Sequence, residues 1–164
     1  MAICPILSYP HPGLSEVCRA VEIFDDKLAG LANDLLDTMR AAPGVGITGA
    51  HIGVPLRIFV LELSTGTVKT FVNPEIVSVS DEMMRHIEGS VSMPGFTEEV
   101  DRPAGVLTRF QDLDGNWHEE ESKGFEAICI QHKIDQLDGM FWLKRLSKLK
   151  RDRLVRKWEK SRRG

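Results

Sequence analysis

The chain has 164 residues, 42% apolar and 27% charged, with a net charge of −3, which suits one domain (1–164) with a buried core and excludes a low-complexity or disordered chain. No apolar run nears the roughly 18 residues of a membrane span, and the first residues do not pair a basic stretch with an apolar one. Three scattered cysteines (Cys4, Cys18, Cys129) argue against a disulfide framework or a thiolate zinc cluster, so a cytoplasmic protein with no membrane partner is expected.

In chain order, Leu28, Leu31, Ala32, Leu35 and Met39 recur at helical spacing after Asp25 and Asp26, and Pro43-Gly44 ends that helix. Residues 57–63, 68–72 and 75–80 read as three short strands. Residues 105–112 and 117–122 flank Asp114-Gly115, a favoured hairpin turn. Residues 125–138 read as a largely buried helix closed by Gly139. A last helix runs from about Ser147 to 163, with Leu149, Leu154, Val155 and Trp158 as a rough apolar stripe. Hairpin strands set apart from helices indicate α+β rather than a doubly wound parallel sheet.

The charge is uneven. Residues 144–163 hold 11 of the 21 Lys/Arg and only Asp152 and Glu159 of the 24 acids. A basic tail on an acidic body points to an anionic partner, RNA first, or to a solvated helix whose cations suit the negative end of its dipole.

Three stretches carry the chemistry: "GVGITGAH" (44–51), "EGSVS" (88–92) and "QHKIDQ" (131–136). With "NPEI" at 73–76 and Arg102-Pro103 between them, and with similar ends, the chain resembles the peptide deformylase family along nearly its whole length. That family carries GxGLAAxQ, EGCLS and QHExDH in this order. The resemblance implies a deformylase-like fold, with antiparallel strands around a buried central helix bearing the last motif, plus a C-terminal helix. It also implies hydrolysis of the formyl amide of an N-terminal methionine. In the family a cysteine and two histidines hold iron(II) or zinc, a glutamate activates the metal-bound water, and a glutamine with the backbone N–H after the cysteine stabilises the oxyanion.

This chain departs from that pattern at almost every polar position. By the resemblance, Ser90, His132 and Gln136 stand at the ligand positions, Lys133 replaces the glutamate and His51 the glutamine, while Val91 keeps the backbone donor. A serine hydroxyl is neutral and hard to ionise, and an amide is a feeble substitute for imidazole. An ammonium beside them repels a cation. The expectation is therefore no cofactor and no metal-dependent deformylation, leaving a module that binds nascent N-terminal peptides or the ribosome. The alternative is a hydrolase on the formyl amide or another amide. It would work through a residual metal site, a Ser90/Lys133 dyad with Lys133 as base, or a metal held between His51 and His132.

The surrounding residues look better kept. Gly44, Gly46 and Gly49 allow close backbone approach to an extended peptide, or simply a turn. Val91, Ile128, Cys129 and His132 are expected to line an apolar substrate pocket, with core packing the commoner fate for Ile128. Glu88, Arg102 and Asp135 have the chemistry of an ion-pair network behind the site. His11, His86 and His118 lack ligand spacing and read as surface residues. In some deformylases a basic C-terminal helix docks on ribosomal RNA, and segment 147–163 looks similar.

Overall fold

A computed structural model of the chain describes residues 2–163. The first helix, α1 (Asp26–Ala41), starts where the Asp25 carboxylate accepts the Leu28 N–H at 3.1 Å. Two strands follow: β1 (Gly46–Thr48), which leads into a 3-10 turn at Gly49–Ile52, and β2 (Ile58–Ser64). Next come β3 (Thr67–Val79), β4 (Met83–Gly89), β5 (Thr97–Pro103), β6 (Gly105–Gln111) and β7 (Trp117–Lys123). The chain then enters α2 (Phe125–Leu137), turns at Trp142–Arg145 and ends in α3 (Lys148–Arg163).

All pairings between these strands are antiparallel. One sheet has the order β1-β2-β3-β6-β7, and β4 and β5 form a separate ribbon. The fold is thus α+β, with α2 at its centre. Every residue from Ala127 to Leu137 is buried, and a helix apolar on most sides needs neighbours all round. Its lower side packs on Phe59, Phe71 and Phe110, where Phe71 stacks on Phe59 and meets Phe110 tilted, each with ring centroids 4.5 Å apart. On the opposite face of that sheet α1 buries Leu28, Ala32, Leu35 and Met39 against Ile47, Ile58, Val60 and Val72. Gly139 closes α2 at φ 78°, and a Cβ there would lie 2.7 Å from the Ser15 carbonyl oxygen, so both space and backbone favour glycine.

Three expectations need correcting. The two strands at 68–72 and 75–80 are one strand, β3, bulged at Asn73-Pro74, where Asn73 has φ 48° and the register shifts between Val72 and Glu75. The Asn73 side chain holds the bulge by bonding Val21 N, Val21 O and Gln111 Oε1 at 2.7–2.9 Å. Strands β1, β4 and β5 add to the expected set. The α3 stripe is narrower than expected: Leu154 and Trp158 are buried, but Leu149 is 70% exposed. Five residues before Leu154 places it about 140° around the helix, off the packed face. Among the described residues no helix is long and apolar enough to cross a membrane.

Candidate functional site

The three motifs meet where β1 and its 3-10 turn, the loop after β4 and the buried face of α2 come together. In the first motif Thr48 caps the 3-10 turn, with its hydroxyl accepting the His51 N–H at 3.3 Å. His51 answers by accepting the Thr48 N–H on Nδ1 at 3.0 Å, a capping box with imidazole in the role usual for glutamate or glutamine. Burial, then the charges of Lys133 and His132, hold His51 well below its ordinary pKa. The ring is neutral with Nδ1 as acceptor, so its proton sits on Nε2. That atom is buried and has no partner among the described residues.

His132 has the opposite tautomer. Its Nδ1 lies 3.2 Å from Glu88 Oε1 and donates to that carboxylate. Burial and neighbouring Lys133 lower its pKa to about 4, against the opposing pull of Glu88, so Nε2 keeps a lone pair, again buried and unpartnered. Glu88 is ionised: burial works against its charge, but hydrogen bonds from His132 and Arg102 outweigh that and bring it to about 2. Arg102 forks onto Glu88 at 2.6 and 2.9 Å and reaches Asp135 at 2.8 Å, while Arg145 pairs with Asp135 from the far side. Glu88, Arg102 and Asp135 thus form one buried network behind His132.

One turn along α2, Gln136 is wholly buried; its Nε2 donates to the Leu14 carbonyl at 2.7 Å and its Oε1 has no partner. Lys133 is 6% exposed, and burial is the main cause that lowers its pKa to about 8, so it is mostly an ammonium at neutral pH. Gly46 makes room for it: a Cβ at 46 would fall 2.7 Å from Lys133 Cε. A Cβ at Gly44 would likewise fall 2.9 Å from Val91 Cγ1, and one at Gly49 2.6 Å from the Val54 carbonyl oxygen. The close approaches these glycines allow are therefore to Val91, Lys133 and the following loop.

Ser90 is half-buried and its hydroxyl accepts the Ser92 N–H at 3.1 Å; among the described residues no hydrogen bond joins it to Lys133. Beside this cluster lies a pocket of about 120 Å³ lined by Val45, Ile87, Phe125, Ile128 and Cys129, with Glu88, His132 and Lys133 as its polar members. Ile128 and Cys129 border the pocket while also being buried. Sequence reasoning missed Val45, Ile87 and Phe125, although Phe125 sits three and four residues before Ile128 and Cys129, the spacing of one helix face. It also missed Thr48 and the Leu14 carbonyl, for which no local signal exists. His11 and His118 are exposed, and His86 is half-buried against the Phe125 ring. A larger groove of about 570 Å³ between residues 19–25 and α1 touches none of the motif residues.

The donor set does not match the metal that the resemblance implies. A thiolate is missing: Ser90 supplies a hydroxyl, and burial pushes the Cys129 thiol up to about 11. With Nδ1 taken by the Thr48 N–H, His51 carries its proton on Nε2, so the expected His51–His132 pair would hold a metal only after that tautomer changed. His132 Nε2 and Gln136 Oε1 remain as lone pairs, beside an ammonium. Among the described residues no three His, Cys, Asp or Glu side chains gather in a way suited to a metal ion.

Comparison with known proteins supplies a frame for this geometry. The family model for polypeptide deformylase matches residues 3–152. A protein of Agrobacterium fabrum named peptide deformylase-like is 68% identical over 99% of both chains. Among solved structures, a peptide deformylase from Legionella pneumophila superposes with a TM-score of 0.93 at 38% identity, covering 99% of this chain and 96% of that one. The Ehrlichia chaffeensis peptide deformylase, solved with actinonin, gives 0.94 at 33% identity over the whole of both chains.

Proposed function

The chain belongs to the polypeptide deformylase family, and we propose that within it the chain holds N-terminal peptides without the metal-dependent hydrolysis of their formyl group. The observation that carries this reading is Lys133. A buried ammonium stands at the family's glutamate position, lining the pocket together with a neutral His132, where it opposes a cation and rarely serves as base. The network of Glu88, Arg102 and Asp135 and the apolar pocket are the parts that support peptide holding. The chain's own residues then bind and orient but move no proton to a leaving group. We place it in the cytoplasm.

The second reading is a hydrolase acting on formyl-methionyl peptides. The comparisons favour it, since the match runs the length of solved deformylases, and one structural observation supports it: a lysine brought to about 8 is a neutral amine in a minor but real fraction at neutral pH. One assay separates the two readings. Protein purified without chelator is expected to carry no stoichiometric iron or zinc and to release no formate from formyl-methionyl peptides. Turnover with bound metal establishes the hydrolase, and metal-free turnover that Lys133→Met abolishes assigns it to the lysine.

For α3 we propose an RNA partner of the ribosomal kind. Leu154 and Trp158 anchor it, Trp158 donating to the Tyr9 carbonyl at 3.1 Å. Arg153, Arg156, Lys157, Lys160, Arg162 and Arg163 stay exposed, an array that suits phosphates and needs no base readout.

A further inference from the structure

A cleft of about 290 Å³ lies away from the motifs, where residues 9–15 face the turn at Trp142–Arg145 and the first turn of α3. Tyr9 and Phe141 line it as a stacked pair, ring centroids 5.1 Å apart and 14° from parallel. The backbone of Tyr9 is held on both sides: its N–H donates to the Ser92 carbonyl at 2.9 Å, and its carbonyl accepts the Trp158 indole N–H at 3.1 Å. This aromatic wall is therefore in place before any ligand arrives.

The polar lining is of one kind. Lys144 and Arg151 are cations with no hydrogen bond or ion pair among the described residues. His11 accepts the Gly13 N–H on Nδ1 at 2.9 Å, which leaves Nε2 of the neutral ring as a donor. Among the described residues no acidic side chain lines the cleft. Burial and the charge of Glu159 raise the pKa of Tyr9 while Arg151 opposes them, so one acid and one base lie within reach of that hydroxyl. Donors beside an aromatic wall suit an anion carried on a flat ring; they suit neither a cation nor a wholly apolar group.

Arg151 belongs to α3 as well as to the cleft, and the exposed cations Arg153, Arg156, Lys157 and Lys160 continue along that helix. A strand whose phosphates follow α3 thus brings one nucleotide to the mouth of the cleft. Only an unpaired nucleotide can turn its base out of the stack and onto an aromatic side chain.

We propose that this cleft takes one unpaired nucleotide of an RNA strand, with the base against Tyr9 and the phosphate held by Lys144 and Arg151. This rests on the reading of α3 as an RNA-binding helix and adds to it a preference for single strands. Charge alone would give the reverse, because a duplex packs more phosphates along its length.

Fluorescence anisotropy with labelled oligoadenylate and with its duplex with oligouridylate tests it. The unchanged chain should bind the single strand at least about fivefold more tightly than the duplex. Tyr9→Leu, which keeps an apolar side chain without the ring, should abolish that preference, and so should Lys144→Ala combined with Arg151→Ala. Arg156→Ala with Lys160→Ala removes as much charge outside the cleft; it should weaken binding of both RNAs and keep the preference. Equal or tighter binding of the duplex by the unchanged chain, or a preference that survives both cleft variants, overturns the cleft site and leaves α3 as the RNA contact. Free adenosine monophosphate bound as tightly as oligoadenylate overturns the assignment to a strand. Failure of the unchanged chain to bind either RNA overturns the α3 reading itself, and the cleft site with it.

Discussion

At Lys133 burial and charge oppose one another, and the cost is measurable. The fall from 10.5 to about 8 corresponds to about 3 kcal/mol against the charged form in the folded chain. The sign follows from proton counting: between pH 8 and 10.5 the unfolded chain binds the proton and the folded chain does not, so stability rises with pH across that window. Below pH 8 the full cost applies. Lys133→Met, similar in volume and uncharged, should therefore be more stable than the unchanged chain at pH 7 by about 2–4 kcal/mol, with the gap closing as pH climbs from 8 to 10.5. Urea unfolding of both proteins across that range checks this, and a gap independent of pH would mean Lys133 titrates normally. The Arg102 network makes the reverse case. Arg102→Met leaves the buried Glu88 carboxylate with His132 alone and takes one of the three hydrogen bonds on Asp135, and should cost about 3–5 kcal/mol. Arg145→Ala should cost at most about 1 kcal/mol, because its side chain is 43% exposed and screened by solvent. Comparable losses at the two positions in urea melts would refute the buried-network account. Ser90, His51 and Lys133 could be named from sequence alone as departures. Their tautomers and partners could not, since the Thr48 cap and the Leu14 contact join residues that no spacing rule links.

Among the elements, α1, the β6–β7 hairpin, α2 and α3 were legible because each has a local cause: an N-cap aspartate, an Asp-Gly turn, a terminal glycine, or a run of apolar residues at helical spacing. Strands β1, β4 and β5 have none. β1 is three residues long and buried throughout, so it shows no alternation. β5 reads "TEEVDRP" and ends in Pro103; what holds it is its full pairing with β4 from Met83–Pro103 to Gly89–Thr97. Long-range pairing of this kind leaves little trace in a single strand. From sequence the long β3 reads as two strands because Asn-Pro usually ends one, whereas tertiary bonds from Asn73 hold the bulge in place. The α3 proposal is tested at this scale as well. Arg153→Glu, Arg156→Glu and Lys160→Glu combined change only exposed side chains, so the melting temperature should hold while co-sedimentation with ribosomes is lost. For the unchanged chain, pelleting should fall steeply between about 50 and 200 mM salt. Equal pelleting of the variant and the unchanged chain rules out α3 as the contact.

Across the whole molecule, the departures lie on atoms that would face a metal, while the groups that would orient its ligands remain. Glu88 still fixes His132 through Nδ1, and Arg102 still fixes Glu88. The Leu14 carbonyl, which now accepts from Gln136 at 2.7 Å, is placed to accept Nδ1–H from a histidine at 136 and so turn its Nε2 lone pair toward the cluster. Carboxylate or carbonyl on the far nitrogen is the usual outer support of a metal-binding imidazole, and here both supports precede the ligand. Three substitutions should then suffice: Ser90→Cys for a thiolate, Gln136→His for the second imidazole, and Lys133→Glu to remove the ammonium and supply a base. The triple variant is expected to retain iron or zinc through gel filtration, measured by elemental analysis, with far-UV circular dichroism unchanged from the parent. Ser90→Cys with Gln136→His alone should bind metal more weakly, because Lys133 keeps its charge beside the cation. A folded triple variant that takes up no metal would show that more than the side chains at these three positions must change before the cluster holds a metal.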